Sequence, residues 1–551
     1  MHHELFEKVE AWIADEVDET TQEQTRQVLA DARNGDASAL EQLQAWFGPF
    51  LQFGTAGLRG PLGPGPSCMN RAVVIRAAAG LCAYLNQRDA KRIVVGYDAR
   101  HRSHDFALDT VAIAAAAGLE AILLPRALPT PVLAFAVRHL DADAGVMVTA
   151  SHNPAQDNGY KVYLGDGSQI VPPADADIAA EISKITSASA VAMSDAWLIA
   201  EESVVTEYIN RAAHVVAGVR VPVNVVSTSL HGVGHEVWSS VFHQAQLGTL
   251  TVVAEQQDPD PDFPTVAFPN PEEAGATDLL LELAAKVDAD VAIAHDPDAD
   301  RCAVGIKTES GAWRLLRGDE LGALLADWTF MRAKTRFNLP TPEGSVAASI
   351  VSSRLIAKIA EANNVPCHFT LTGFKWISKI PDLIFGYEEA LGYCVDPASV
   401  RDKDGISAAA RVCEMVSYYK SHFRDLQQVL DAQAREYGVY ATDQLSVRMN
   451  DLAQIPAAVA KLRANPPRKV GGLAVTEFVD LSLGYNGLPP TDGVMLLLDG
   501  GRVIARPSGT EPKLKCYLEA IVKTNDVDAD RRQAQRILDS MKTDMKAVFG
   551  V

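Results

Sequence analysis

Five stretches of the sequence combine residue types that can do chemistry. In the first, Thr149-Ala150-Ser151-His152-Asn153-Pro154 follows an apolar run and leads into Asp157-Asn158-Gly159-Tyr160-Lys161. A serine on a tight polar turn after a buried strand presents its hydroxyl, which becomes a nucleophile when a base or metal activates it. The same serine could instead cap a helix or close a turn, and no Asp/His partner stands at a hydrolase spacing. The second stretch is Asp296-Pro297-Asp298-Ala299-Asp300-Arg301. In extended chain, residues two apart face one side, so three carboxylates meet at one point and repel unless a cation joins them. An all-oxygen set on a short loop suits Mg²⁺, and Arg301 beside it is a second cation for a phosphate. The alternative is a solvated acidic turn. An EF-hand does not fit, because Arg301 and Lys307 stand where that loop needs glycine and a bidentate glutamate.

The third stretch holds Glu388 and Glu389, with Arg401, Lys403 and Asp404 downstream. Carboxylates beside a small-residue turn can accept hydrogen bonds from vicinal hydroxyls, although surface Glu pairs are common. The fourth is Arg506-Pro507-Ser508-Gly509-Thr510-Glu511-Pro512-Lys513. Arg offers a planar fork to phosphate oxygens, Ser and Thr add donors, and Gly lets backbone N–H groups approach. The fifth, Phe53 to Gly60, sets Arg59 among glycines, either as a flexible linker or as a guanidinium aimed at an anion.

Alternating strand-like and helix-like runs must position these loops. After a helical stretch to about residue 50, RIVVGYD (92–98), EAILL (120–124) and GVMVTAS (145–151) read as strands, with helices between them. The rhythm restarts at VPVNVVST (221–228) and again at SVAASIV (345–351), ending in DVAIAH (290–295) and DLIFGYE (382–388). Such alternation predicts parallel sheets with helices on their faces, whose ligands gather at the carboxyl ends of strands. The predicted fold class is α/β: three similar mixed α/β domains plus a C-terminal α+β domain. Their expected spans are 1–205, including the N-terminal helical segment, then 206–315, 316–433 and 434–551.

Bulk properties exclude several function classes. The 551 residues exceed one hydrophobic core, and the formal net charge of −20 repels nucleic acid and anionic lipid. Seven scattered cysteines form no CxxC pair, which fits reduced thiols rather than a disulfide framework or zinc site. The N-terminus is acidic without a signal pattern, and the most apolar stretch is too short to span a bilayer. These features predict a cytoplasmic protein without a membrane or nucleic-acid partner.

Together the five motifs resemble the α-D-phosphohexomutase superfamily, which includes phosphoglucomutases, phosphomannomutases, phosphoglucosamine mutases and some phosphopentomutases. TASHNP, the DPDADR loop and RPSGTEPK match in family order across roughly Phe53 to Tyr517. The resemblance implies four domains around a central cleft. It implies that Ser151 carries phosphate and joins Asp296, Asp298 and Asp300 around Mg²⁺, with Lys161, Arg59 and His152 as further catalytic candidates. Arg301, Lys375, Glu388, Glu389 and Lys403 then belong to the substrate site, and Arg506, Ser508, Gly509 and Thr510 grip the substrate's own phosphate. It also implies a small phosphosugar substrate, a sugar 1,6-bisphosphate as activator and intermediate, a monomer or homodimer, and a mobile last domain.

Two departures from the family pattern stand out, and the second bears on the substrate. Proline and alanine, where many relatives have glycines, separate the aspartates of DPDADR, which leaves the carboxylates intact. Ala390 stands where many hexose-specific members have serine, and GYEEALGY looks like the branch with phosphopentomutases, glucose-1,6-bisphosphate synthases and some phosphoglucomutases. The resulting expectation is a mutase moving phosphate between the 1- and 6-positions of glucose or mannose, with a phosphopentomutase or sugar-bisphosphate synthase as rival. An aspartyl phosphatase using Asp296 and Asp298 leaves TASHNP and RPSGTEPK unexplained, and a non-catalytic phosphosugar sensor would not need both nucleophile and metal ligands.

Overall fold

The computed structural model describes residues 2–339, 341–448, 454–507 and 513–550. The chain divides into two compact units, Met1–Gly305 with Gly392–Ser417, and Ile306–Leu391 with Tyr418–Val551.

The first unit opens with helices His3–Asp15, Glu19–Arg33 and Ala37–Trp46, the last two capped by Asp18 and Asp36 through backbone N–H groups of the first turn. Val9, Leu29 and Leu43 close a small core between them. A six-stranded sheet follows, built from β1 (Leu58–Pro61), β2 (Arg92–Tyr97), β3 (Glu120–Leu123), β4 (Ala144–Val148), β5 (Asp157–Leu164) and β6 (Leu198–Ile199) in the order β1-β5-β4-β2-β3-β6. β2, β3 and β4 run parallel, and helices Ser103–Ala116 and Thr130–His139 make the crossovers. Every residue of β4 is buried, as a strand covered on both faces requires.

β5 breaks the parallel rule. It is antiparallel to β4, and β1 is antiparallel to β5. The connection from β4 to β5 is too short for a crossover, which takes a dozen or more residues, so the chain turns back as a hairpin. The expected parallel sheet is therefore mixed, and Asp157 to Lys161 are strand rather than the tail of a loop. The second sheet repeats the device. β7 (Val223–Thr228) lies parallel to β8 (Gly248–Val252) and β9 (Val291–His295), while β10 (Cys302–Lys307) returns antiparallel to β9. A later segment completes this unit, where Gly392 bridges to Arg301 and a helix begins at Gly405.

The second unit holds parallel strands Cys367–Thr370, Ser345–Ser349 and Leu383–Glu388. Its last sheet runs in the spatial order Val439–Arg448, Lys513–Val522, Gly501–Pro507, Val494–Leu498, Leu473–Asp480 and Lys469–Val470. That sheet is antiparallel and the helix Val527–Phe549 packs on it, which is the expected α+β domain. Ile350 and Val351 share an apolar cluster with Val479, Leu481, Met495, Ile504 and Tyr517. Arg502 donates to the carbonyls of Ile350 (2.7 Å) and Ser352 (2.6 Å), and Arg354 pairs with Glu519 at 2.6 Å. The last sheet thus meets the loop after Ser345–Ser349 through apolar contacts and buried polar ones. Among the described residues, no helix is long and apolar enough to cross a membrane.

Candidate active site

Two hairpin loops of the first unit bring the serine to the aspartates. Ser151 leaves β4 in the left-handed region, with φ of 55°, which costs a non-glycine residue about 1–2 kcal/mol. Its N–H donates to Thr149 Oγ1 at 2.9 Å, and its buried hydroxyl donates to Asp296 Oδ2 at 3.0 Å. Asp296, Asp298 and Asp300 are fully buried between β9 and β10, and one oxygen from each lies within 4.8 Å of the others.

The backbone around the aspartates is packed flush. A Cβ on Gly232 would lie 2.2 Å from Pro297 Cα, and one on Gly405 would lie 2.2 Å from the Arg301 carbonyl oxygen. Both glycines are present because the metal loop's backbone occupies the space of a side chain. Arg301 N donates to Asp296 Oδ1 at 3.0 Å, and Thr130 Oγ1 donates to Asp298 Oδ2 at 2.6 Å.

Cations surround the triad. Lys161, on β5 opposite Met147, donates to Asp298 Oδ2 at 2.7 Å and Asp300 Oδ2 at 3.0 Å. Lys403 Nζ lies 3.2 Å from Asp300 Oδ2 and 3.3 Å from Asp402 Oδ1, and Arg301 Nε lies 3.6 Å from Asp296 Oδ2. Burial raises each carboxyl, but the Lys161, Lys403 and Arg301 charges pull Asp300 below the usual range. For Asp296, burial and then the Asp298 and Asp300 charges push the carboxyl well up. Lys161 is held charged: burial opposes its ammonium, yet Asp298 and Asp300 raise its pKa. His152 lies under the opposite pressure, since burial and then Arg301 and Arg59 hold its imidazole neutral.

The donor set fits a hard cation. With Lys161 on one oxygen of Asp298 and of Asp300, the other oxygens, Asp298 Oδ1 and Asp300 Oδ1, are buried with no hydrogen-bond partner. Asp300 Oδ1 lies 3.7 Å from Arg301 Nε. Buried carboxylate oxygens without hydrogen bonds are costly, and an ion held by oxygen ligands removes that cost.

The remaining predicted residues fall in both units. Arg59, on β1 opposite Gly159, donates to Asn153 Oδ1 at 3.2 Å and so joins the serine loop. Gly159 allows this approach, as its Cβ would meet the Thr149 carbonyl oxygen at 2.6 Å. In the second unit, Glu388 ends the strand Leu383–Glu388 and is buried. Glu389 turns into the fold, its Oε2 accepting from Ser349 at 2.8 Å and Ser352 at 3.0 Å, and burial raises its pKa. Lys375 lies in the short helix Phe374–Ile377, and Arg506 donates to Thr372 Oγ1 in the loop just before it. Ser508, Gly509 and Thr510 lie outside the described residues.

Reading by motif missed four participants: Arg100, which binds backbone around Ser151; Thr130 on Asp298; Asp402 beside Lys403; and Gly405 behind the metal loop. Arg100 and Thr130 both follow the carboxyl ends of parallel strands, so the rule that ligands gather there could have flagged them.

Comparison with known proteins assigns the family. Models of the phosphoglucomutase/phosphomannomutase alpha/beta/alpha domains I, II and III match residues 51–189, 206–311 and 317–437, and the C-terminal domain model matches 445–539. The Haemophilus influenzae protein named "Probable phosphomannomutase" is 46% identical over 475 residues, covering 85% of this chain and 96% of its own. Human phosphopentomutase is 34% identical over 576 residues, covering 96% and 93%. The open form of the Paramecium phosphoprotein pp63/parafusin, a phosphoglucomutase, shares the fold, with a TM-score of 0.70 at 17% identity over 91% of this chain and 96% of that one. With all four domain models matched in order along the chain and an aspartate triad able to hold a metal, the chain belongs to the phosphoglucomutase/phosphomannomutase family and is a phosphosugar mutase.

Proposed function

We propose that the chain moves phosphate between the 1- and 6-positions of glucose or mannose, with Ser151 as the phosphoryl carrier. The observation that carries this reading is the 3.0 Å contact between the Ser151 hydroxyl and Asp296, inside a triad whose Asp298 and Asp300 each keep a buried oxygen without a hydrogen bond. Asp296, Asp298, Asp300 and the Ser151 oxygen would hold Mg²⁺. When bound, the ion supplies Lewis-acid stabilisation of charge on the transferring phosphoryl group.

The residues of the chain divide the remaining work. A sugar hydroxyl attacks phosphorus on phosphorylated Ser151, the bond from phosphorus to Oγ breaks, and a sugar 1,6-bisphosphate forms. The sugar hydroxyl gives up its proton as it attacks, and Oγ takes one up as its bond to phosphorus breaks. Lys161, held as an ammonium, is the candidate to deliver it, and neutral His152 is a candidate to accept one. Arg59 and Arg301 spread negative charge on the phosphoryl oxygens. Return of the other phosphate to Ser151 requires the bisphosphate to turn over, so a second grip must accept either phosphate. Arg506, Ser508, Gly509 and Thr510 are assigned that grip, and Glu388, Glu389, Lys375 and Lys403 the sugar region. The domain spans 1–205, 206–315, 316–433 and 434–551 divide these tasks.

A second substrate reading has its own support. Ala390 stands where many hexose-specific members have serine, and human phosphopentomutase matches nearly the whole chain. Comparing kcat/KM for glucose 1-phosphate and ribose 1-phosphate tests the choice. The hexose reading expects glucose 1-phosphate ahead by tenfold or more (~1.4 kcal/mol of transition-state discrimination). A tenfold lead for ribose 1-phosphate overturns it in favour of the pentose.

A further inference from the structure

We propose that Arg100 is the positioning residue of the serine loop, fixing Ser151 against the aspartates through backbone carbonyls alone. The inference rests on Ser151 being the phosphoryl carrier. Arg100 follows β2 and is buried. Its Nη2 donates to the carbonyls of Ser151 and Asn153, each at 2.6 Å. Its Nη1 donates to the carbonyls of Pro154 at 2.8 Å and Asp157 at 3.2 Å. One guanidinium therefore gathers three carbonyls of the loop between β4 and β5 and that of Asp157, the first residue of β5.

The consequence is local to the nucleophile. Ser151 sits at positive φ, a conformation that relaxes unless its surroundings over-determine it. Both flanks of the residue are pinned, its N–H on Thr149 Oγ1 and its carbonyl on Arg100. Asp98 braces the guanidinium from behind: its carboxylate lies 3.4 Å from Arg100 Nε and accepts from Arg100 N at 3.0 Å and Ser103 Oγ at 2.6 Å.

Phe263 closes the other side. Its ring centroid lies 4.9 Å from the guanidinium carbon, and the ring is nearly fully buried. Phe263 belongs to the segment between β8 and β9, so Arg100 joins the serine loop to the sheet that carries the aspartates. A lysine has neither the planar fork nor the reach over four acceptors, and it stacks poorly on a ring.

The test uses the full chain, with glucose 1,6-bisphosphate as phosphoryl donor. Rapid quench followed by phosphopeptide mass spectrometry reads the rate at which Ser151 gains phosphate, alongside kcat and KM. Arg100→Lys is expected to slow both phosphorylation and kcat by ~10–100-fold, the scale of a nucleophile misplaced by about an ångström, with KM within threefold. Arg100→Ala is expected to lose at least as much and to regain part of it with millimolar guanidinium. Phe263→Leu, which keeps the apolar volume but removes the ring face, is expected to slow Ser151 phosphorylation severalfold. Arg100→Lys phosphorylating within twofold of the parent overturns the proposal, as does a loss carried wholly by KM. Should both Arg100 variants fail to fold, Phe263→Leu decides, and a parental rate there overturns it. A parent protein that takes no phosphate on Ser151 instead overturns the carrier assignment beneath it.

Discussion

The Ser151 loop and the aspartate loop occupy the same place in two successive sheets, yet they are held in opposite ways. Each closes a hairpin where an antiparallel strand leaves a parallel sheet, β4 to β5 and β9 to β10. Each contains one non-glycine residue in the left-handed region, Ser151 at φ of 55° and Ala299 at 53°. The serine loop is gathered by the buried Arg100 guanidinium on its carbonyls, with Arg59 on Asn153 beside it. The aspartate loop is walled in by backbone, with Gly232 against Pro297 and Gly405 against the Arg301 carbonyl. The difference follows from charge. Three carboxylates repel, and a stiff wall together with the Lys161, Lys403 and Arg301 charges keeps them converged before a metal ion arrives. The serine loop bears no such repulsion, and its task is to aim one oxygen.

Breaking the chemical end of the serine loop has the largest expected effect. Ser151→Ala removes the carrier, and turnover should fall by about 10⁴-fold or more, in line with loss of a covalent nucleophile. Activity above a hundredth of the parent's would sink the carrier role. Next comes the aspartate loop. Chelation should abolish turnover and Mg²⁺ should restore it, while Asp298→Asn should cost about 10²–10³-fold in kcat, both read by steady-state assay. Full activity of the chelated protein contradicts the metal reading.

The wall itself can be tested by stability. Gly232→Ala places a methyl 2.2 Å from Pro297 Cα, and overpacking of this kind costs about 1–3 kcal/mol. The denaturant midpoint should drop. Gly54→Ala, whose methyl meets nothing within 4 Å, is the control and should leave it in place.

The smallest effect is expected at Glu389. Burial raises the folded-state pKa of this acid, so its neutral form is favoured in the fold. That contribution is complete below the ordinary glutamate pKa and is lost as pH rises through the raised value. Glu389→Gln should therefore flatten the loss of stability on the alkaline side of that window, as read by denaturation at a series of pH values. An unchanged pH profile rules out Glu389 as its source.

Some of this site was legible in residue types. The alternation in Asp296-Pro297-Asp298-Ala299-Asp300 announces convergent carboxylates whatever the fold, and the strands before both loops show in their apolar runs. The antiparallel turns were less plain, because a buried antiparallel strand such as Asp157–Leu164 carries no parallel or antiparallel mark in its own residues. Arg100 was hidden because its partners are carbonyls, which every residue has. Lys403 and Gly405 reach Asp300 and Arg301 from a segment about a hundred residues on in the chain, a contact that no local pattern encodes. The contacts of Arg502 and Glu519 with the loop after Ser345–Ser349 likewise join residues far apart in the chain, and they are visible only in three dimensions.

Turnover as proposed depends on Ser151 carrying the phosphate. Its most direct test is peptide mapping of the protein after exposure to glucose 1,6-bisphosphate, followed by a chase with excess glucose 1-phosphate. One phosphate is expected on the peptide containing Ser151, discharged onto sugar during the chase. Phosphate found on Asp296, or a Ser151 phosphate that survives the chase while turnover proceeds, would contradict it.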